Sequence, residues 1–263
     1  MKVVVTGTDG LIGSSIVAEL RTHGVEVGVL AGDGGAAAFG SGQDLTEALR
    51  GADVIVDVTD ASSYERTPSA ALLRRATAGL LEAAHSAGAA HFVLLSVLGA
   101  GRMNGGYFRA KALQEELARR STIPHSIVRA APFFESVDAM THSANPADGV
   151  HVPPVQIRPV AADDIAATVA EVAVRQPLFG TLEVAGPEEF RLDRLIADLL
   201  AARGDQRAVV ADATAPILGA VIEHRSLLPG GTARLGRRIT AESPEYRGSR
   251  QDAEDPVVAN GRA

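Results

Sequence analysis

Residues 2–24 read KVVVTGTDGLIGSSIVAELRTHG. Residues 2–6 form a short run built mostly of valine. An apolar β-branched run without polar alternation is how a strand covered on both faces reads. From Ser14 the apolar residues recur with helical spacing, and the pattern stops at Gly24, a helix-ending residue. Between strand and helix stand Gly7, Gly10 and Gly13. In such a turn one glycine makes the tight bend and a second lets backbone approach a pyrophosphate. The third lets the helix pack on the strand. The helix N-terminus then turns its dipole and free N–H groups toward the phosphates. Glycines that serve turn geometry alone are the competing reading. The buried-type strand before the turn and the amphipathic helix after it favour dinucleotide binding.

The same alternation continues along the chain. Strands are predicted over 25–30, 53–58, 91–97 and 125–130. Helices are predicted over 44–51 (from an Asp44 cap), 69–87 and 107–120. Residues 31–42, AGDGGAAAFGSG, read as loop. Strand and helix alternating in this way imply right-handed βαβ units and a doubly wound parallel sheet of Rossmann type. After residue 131 the texture loosens, although QIRPV and GTLEVA read as strands and helices are expected from about Ala162 and within 187–204. Residues 205–235 are ambiguous, and from about 240 a polar, poorly ordered tail is expected. The expected organisation is a dinucleotide-binding core over 1–135, with a contribution from about 155–175. A smaller substrate-binding region over 136–240 packs on it, and 241–263 form the tail.

Composition narrows the function classes. A net charge of −7 argues against nucleic-acid and anionic-membrane partners, which favour a basic face. With no cysteine there are no disulfides, thiolate metal sites or cysteine nucleophiles, which suits a reducing cytosol. No uncharged run approaches the length of a membrane span, and no signal peptide precedes the first strand. The expected location is cytoplasmic. The histidines show no metal-ligand spacing, and no metal is expected.

A second stretch, GGYFRAKAL (105–113), carries the chemistry. The 25 basic residues comprise 23 arginines and two lysines, Lys2 and Lys111. Lys111 stands one helical turn after Tyr107, so the two side chains share a helix face. Hydride transfer to a carbonyl needs a proton for the developing alkoxide. A tyrosine beside an ammonium can deliver it, because the positive charge favours the phenolate. Ser96 closes the strand 91–97 and offers a hydroxyl for the substrate oxygen. The competing reading makes Tyr107 a packing residue and Lys111 a solvated one.

Taken together, TGTDGLIGS, FVLLSVLG (92–99) and YFRAK resemble the short-chain dehydrogenase/reductase superfamily, most closely its atypical, NmrA-like members. The resemblance covers roughly residues 1–200. It implies a Rossmann fold, NAD(P)H as cofactor, a small-molecule substrate and the option of a homodimer. It places Gly7, Thr8, Asp9, Gly10, Leu11, Ile12 and Gly13 on the cofactor phosphates, and Asp44 and Leu45 near adenine. Val58 and Thr59 fall in the loop after a central strand, and Lys111 on the nicotinamide ribose. Ser96, Tyr107 and Lys111 match the catalytic set. HSIVRAAPFFE (125–135) matches the strand and loop that pass the nicotinamide, which makes Phe133 and Phe134 candidates for the substrate pocket. The sequence departs from the NmrA-like pattern at Gly32, where an arginine for a 2′-phosphate is frequent. Asp33 is then either a partner for a ribose 2′-hydroxyl or a turn residue, and NADH against NADPH stays open.

The function expected from these residues is an NAD(P)H-dependent reduction of a carbonyl or quinone-like small molecule. Two alternatives stand beside it. One is a non-catalytic NAD(P)-binding redox sensor. The other is a redox-neutral dehydratase, epimerase or cyclase that reuses the same tyrosine.

Overall fold

The computed structural model describes residues 1–8, 11–30, 42–59, 70–103, 105–142 and 149–237. Five parallel strands form one side and the middle of its sheet: β1 (Lys2–Thr6), β2 (Glu26–Leu30), β3 (Val54–Asp57), β4 (His91–Val97) and β5 (His125–Ala130). Two later strands, β8 (Gly180–Ala185) and β11 (Arg234–Leu235), extend it to seven. The spatial order is β11-β8-β5-β4-β3-β1-β2. The chain starts at β1, adds β2 at one edge, and crosses back to place β3 on the other side of β1. In doubly wound sheets the ligand crevice opens at this reversal, beyond the carboxyl ends of the strands.

The central strands are apolar because helices cover both faces. Along β1, Val3 and Val5 face one layer and Val4 the other; Val54 and Val56 against Ile55, and Val93 and Leu95 against Phe92 and Leu94, repeat the alternation. The first layer packs against α1 (Leu11–Thr22) and α6 (Ala162–Ala173). The second packs against α2 (Gly42–Ala48), α3 (Ala70–Ser86) and the end of α4 (Gly106–Arg120). Helix α2 begins two residues before the expected cap, so Asp44 lies in its first turn, where a carboxylate complements the helix dipole.

A third apolar cluster builds the C-terminal part. It joins α7 (Leu192–Ala202), Val137 of α5 (Phe134–His142), β6 (Val150–Val152), Ile157 of β7 (Gln156–Ile157) and residues 217–227. Tyr107 and Phe108, at the start of α4, belong to this cluster and meet edge to face at 5.7 Å. The small strand β10 (Val209–Ala211) pairs with β6, and β7 pairs with β9 (Phe190–Arg191). The expected tail lies outside the described residues. Among the described residues no helix is long and apolar enough to cross a membrane.

Charge at the sheet's amino-terminal edge sets an acid limit on stability. His91 is 3% exposed, and its Nε2 lies 2.8 Å from the Ser126 hydroxyl. Burial, with repulsion from His125 added, lowers its pKa from 6.5 to about 4. His125 is lowered too, by burial and by Arg119. The unfolded chain therefore binds more protons than the folded one between about pH 6.5 and 4. Stability is complete above 6.5 and is lost as pH falls through that window, by at most about 3 kcal/mol for His91. Urea midpoints measured from pH 7.5 to 5 should fall with pH, and His91→Gln should flatten that slope. An equal slope in the variant would refute the assignment.

Candidate functional site

At the switch point the carboxyl ends of β1 and β3 lie side by side, Thr6 opposite Asp57. Gly7 follows with φ +79°, a left-handed turn that favours glycine. A Cβ there would stand 2.5 Å from both the Thr59 Cα and the Thr59 nitrogen, so no side chain fits. Gly13 is held as tightly: a Cβ on it would lie 2.5 Å from the Thr8 Cα. The first glycine thus seats the turn against β3, and the last seats α1 against the turn. Ile12 is buried in the first core layer. Leu11 opens the helix, and Thr8 is half-buried before it. Asp9, Gly10 and Asp33 lie outside the described residues.

Polar bonds fix the loop after β3. Asp57, 1% exposed, accepts the Thr6 hydroxyl at 3.2 Å and the Thr59 N–H at 2.9 Å. Val58 is buried beneath, its N–H donating to the Thr6 carbonyl at 3.1 Å. The Thr59 carbonyl accepts Lys111 Nζ at 2.8 Å, and the same ammonium donates to the Leu95 carbonyl at 3.2 Å. Lys111 is 3% exposed, so the solvated-lysine reading does not describe it. Tyr107, 8% exposed, stands one turn earlier on α4.

Ser96 is placed differently from the expectation. It is buried on β4, and its hydroxyl donates to Glu115 Oε1 at 2.7 Å. A serine has a single O–H, and polarising a carbonyl requires donating it. Here that proton goes to a carboxylate on the same helix as the lysine. Glu115 is the residue that sequence reasoning missed. Burial alone raises its pKa; the bonds from Arg129, Ser96 and Arg119 outweigh burial, and the net direction is down. A signal was present: in the strand HSIVRA, Arg129 follows the buried Ile127 and Val128 and precedes the buried Ala130, where a charge demands a partner.

The remaining candidates divide. Asp44 is exposed on α2, whereas Leu45 is buried in the second core layer. Phe133 packs against the first core layer and bridges to Val160. Phe134 is half-buried and starts α5, its N–H donating to the Val160 carbonyl at 3.2 Å. Among the described residues no group of histidine, aspartate and glutamate could hold a metal ion.

These parts fit a dinucleotide. The end of α1 that follows the glycine turn carries no acid in its first turn, while α6 has Asp163 and Asp164 there and α7 has Asp193. With no carboxylate in that first turn, the helix dipole favours an anion at the crevice. A parallel sheet with a glycine turn seated at its switch point defines a Rossmann-type NAD(P)-binding protein. Residues 7–176, more than half the chain, match the family model described as NAD(P)H-binding, and the chain belongs to that family.

Solved structures share the fold. A NADPH-dependent quinone oxidoreductase (QOR2) from Escherichia coli is 18% identical, with a TM-score of 0.62 over 81% of this chain and 78% of its own. The UDP-glucose 4-epimerase of Thermotoga maritima is 18% identical, with a TM-score of 0.66 over 87% of this chain and 90% of its own. A triphenylmethane reductase from Citrobacter is 17% identical, with a TM-score of 0.59 over 81% and 79%. At these identities the likeness is one of fold. No curated protein sequence matches the chain.

The glycine contacts give a direct test. Gly7→Ala places a methyl 2.5 Å from the Thr59 backbone, and Gly13→Ala places one 2.5 Å from the Thr8 Cα. Each variant should melt earlier than the parent and lose the stabilisation that added NADPH or NADH gives the parent. At cofactor near 100 times its Kd that stabilisation is about 2.7 kcal/mol. A Gly7→Ala protein that keeps it would overturn the placement of the cofactor at this turn.

Proposed function

We propose that the chain is an NAD(P)H-dependent reductase of carbonyl or quinone-like small molecules, with Tyr107 as proton donor and Lys111 as the group that tunes it. The observation that carries this reading is the buried Lys111 ammonium. It donates to the Thr59 carbonyl in the loop after β3 and to the Leu95 carbonyl within β4, one turn after Tyr107 and joined through Thr59 to the glycine turn. Bound NAD(P)H supplies a hydride. Tyr107 gives its hydroxyl proton to the acceptor oxygen as charge develops there, so that one C–H and one O–H bond form at the expense of the C=O π bond. The Lys111 charge stabilises the phenolate that the tyrosine leaves. Tyr107 belongs to the buried apolar cluster that also holds Phe108, Met103, Val137 and Leu227, and this cluster keeps water from the proton transfer.

A second reading is a non-catalytic NAD(P)H-binding sensor. The engagement of the Ser96 hydroxyl by Glu115 favours it, since this leaves one expected catalytic group occupied.

Oxidation of NADPH and NADH should be followed across a panel of quinones, ketones and aldehydes. Activity with at least one class is expected. Tyr107→Phe should lower kcat by about 10²-fold or more while the cofactor still binds. Full activity in that variant would sink the mechanism. A flat panel alongside tight cofactor binding would select the sensor.

A further inference from the structure

Tyr107, Lys111 and Glu115 follow one another at intervals of four residues on α4 and form one stripe. The proposed reaction uses the first two. Glu115 is 1% exposed and densely bonded. Besides the Ser96 hydroxyl, its Oε1 accepts Arg129 Nε at 2.7 Å. Its Oε2 accepts Arg129 Nη2 at 2.6 Å and Arg119 Nη2 at 2.7 Å. Arg129 also lies 3.6 Å from Glu183 on β8, and Glu183 Oε2 accepts the Gly230 N–H at 2.7 Å.

Two consecutive residues of β4 thus hold two consecutive turns of α4. Leu95 offers its carbonyl to Lys111, and Ser96 gives its hydroxyl to Glu115. Apolar packing alone is non-directional and lets a helix rotate or slide on its sheet. Two polar bonds one turn apart, closed on adjacent strand residues, remove both freedoms. A buried ion pair is weak evidence for stability, because well-packed apolar residues often do as well. Its directional geometry is the property that apolar residues lack.

Resting on the proposed reductase chemistry, we infer that Glu115 is a positioning residue. Through Ser96 and Arg129 it fixes the rotation and register of α4 on the sheet, and with them where the Tyr107 hydroxyl, carried by the helix, stands relative to the Lys111 ammonium, which the Thr59 and Leu95 carbonyls hold. Ser96 then serves the helix and not the substrate.

The test reads the ionisation of Tyr107 in the full-length protein without cofactor, as well as turnover. The chain has three tyrosines, so subtracting the phenolate absorbance titration of Tyr107→Phe isolates the one at the site. The charged groups around the stripe are Lys111, Asp57 behind Thr59, Arg119, Arg129 and Glu183. Only Glu115 and its direct partners are altered. In Glu115→Gln, kcat should fall by about 10²-fold with KM little changed. Ser96→Ala, which leaves every charge in place, should lower kcat in the same sense and move the Tyr107 midpoint to higher pH, and in kcat the double variant should add nothing to the larger single effect, as expected within one network. If Glu115→Gln does not fold, Glu115→Met combined with Arg129→Met removes one carboxylate and one guanidinium together, so the clamp is lost with the net charge kept, and the upward shift is expected there too. An unchanged Tyr107 midpoint in a folded clamp variant, or additive effects of Ser96→Ala and Glu115→Gln, would overturn the inference. Retained turnover in Tyr107→Phe would instead overturn the reductase chemistry, and the titration would still judge the clamp.

Discussion

The carboxyl edge of the sheet depends on one contact, the crossing of the Thr59 backbone over Gly7. It exists only because residue 7 has no Cβ. It sets the distance between the glycine turn and the end of β3, and every polar group of the site is then referred to Thr59. Asp57 and Thr6 hold the residue from below. Lys111 takes its carbonyl from the side and so docks α4 to the same point. Turn, loop and helix come from three separate βα units, yet they share this single backbone unit as their reference. A shift there moves the glycine turn and the helix that carries Tyr107 and Lys111 together.

How much of this was legible in the sequence follows from how each part is stabilised. The buried strands announced themselves, because a strand covered on both faces can hardly be written except in Val, Ile, Leu and Phe. The Tyr107/Lys111 pair was legible because helical spacing is local and because lysine is so rare in this chain. What stayed hidden depends on partners distant in sequence. Strands β7, β9 and β11 have two residues each, too few to show a period, and are defined by their neighbours. The tight turn at Leu218–Gly219, with both residues at positive φ, sits in the stretch 205–235 that sequence left ambiguous. A leucine at its first central position removes the Asn/Gly signature such a turn usually carries. Glu115 was hidden for another reason. On an Arg-rich helix a glutamate reads as part of a solvated face, and only the sheet beneath shows that it is buried.

The buried Lys111 and the half-buried Arg129 explain the lysine that stood out among the arginines. At residue 111 the acceptors are two single carbonyl oxygens, one from the loop after β3 and one from β4. A compact ammonium with three donors can turn toward both at once, whereas a planar guanidinium presents its donors in a fixed fork suited to the paired oxygens of a carboxylate. At residue 129 the acceptor is a carboxylate, and the fork matches it oxygen for oxygen at 2.7 and 2.6 Å. Exchanging the two residues would keep the charge and lose both geometries. The choice between Lys and Arg is therefore a record of acceptor shape. This gives a rule for reading related chains from sequence: a lone lysine on an arginine-rich helix marks isolated carbonyls, and an arginine within a buried strand marks a carboxylate waiting on the helix above it.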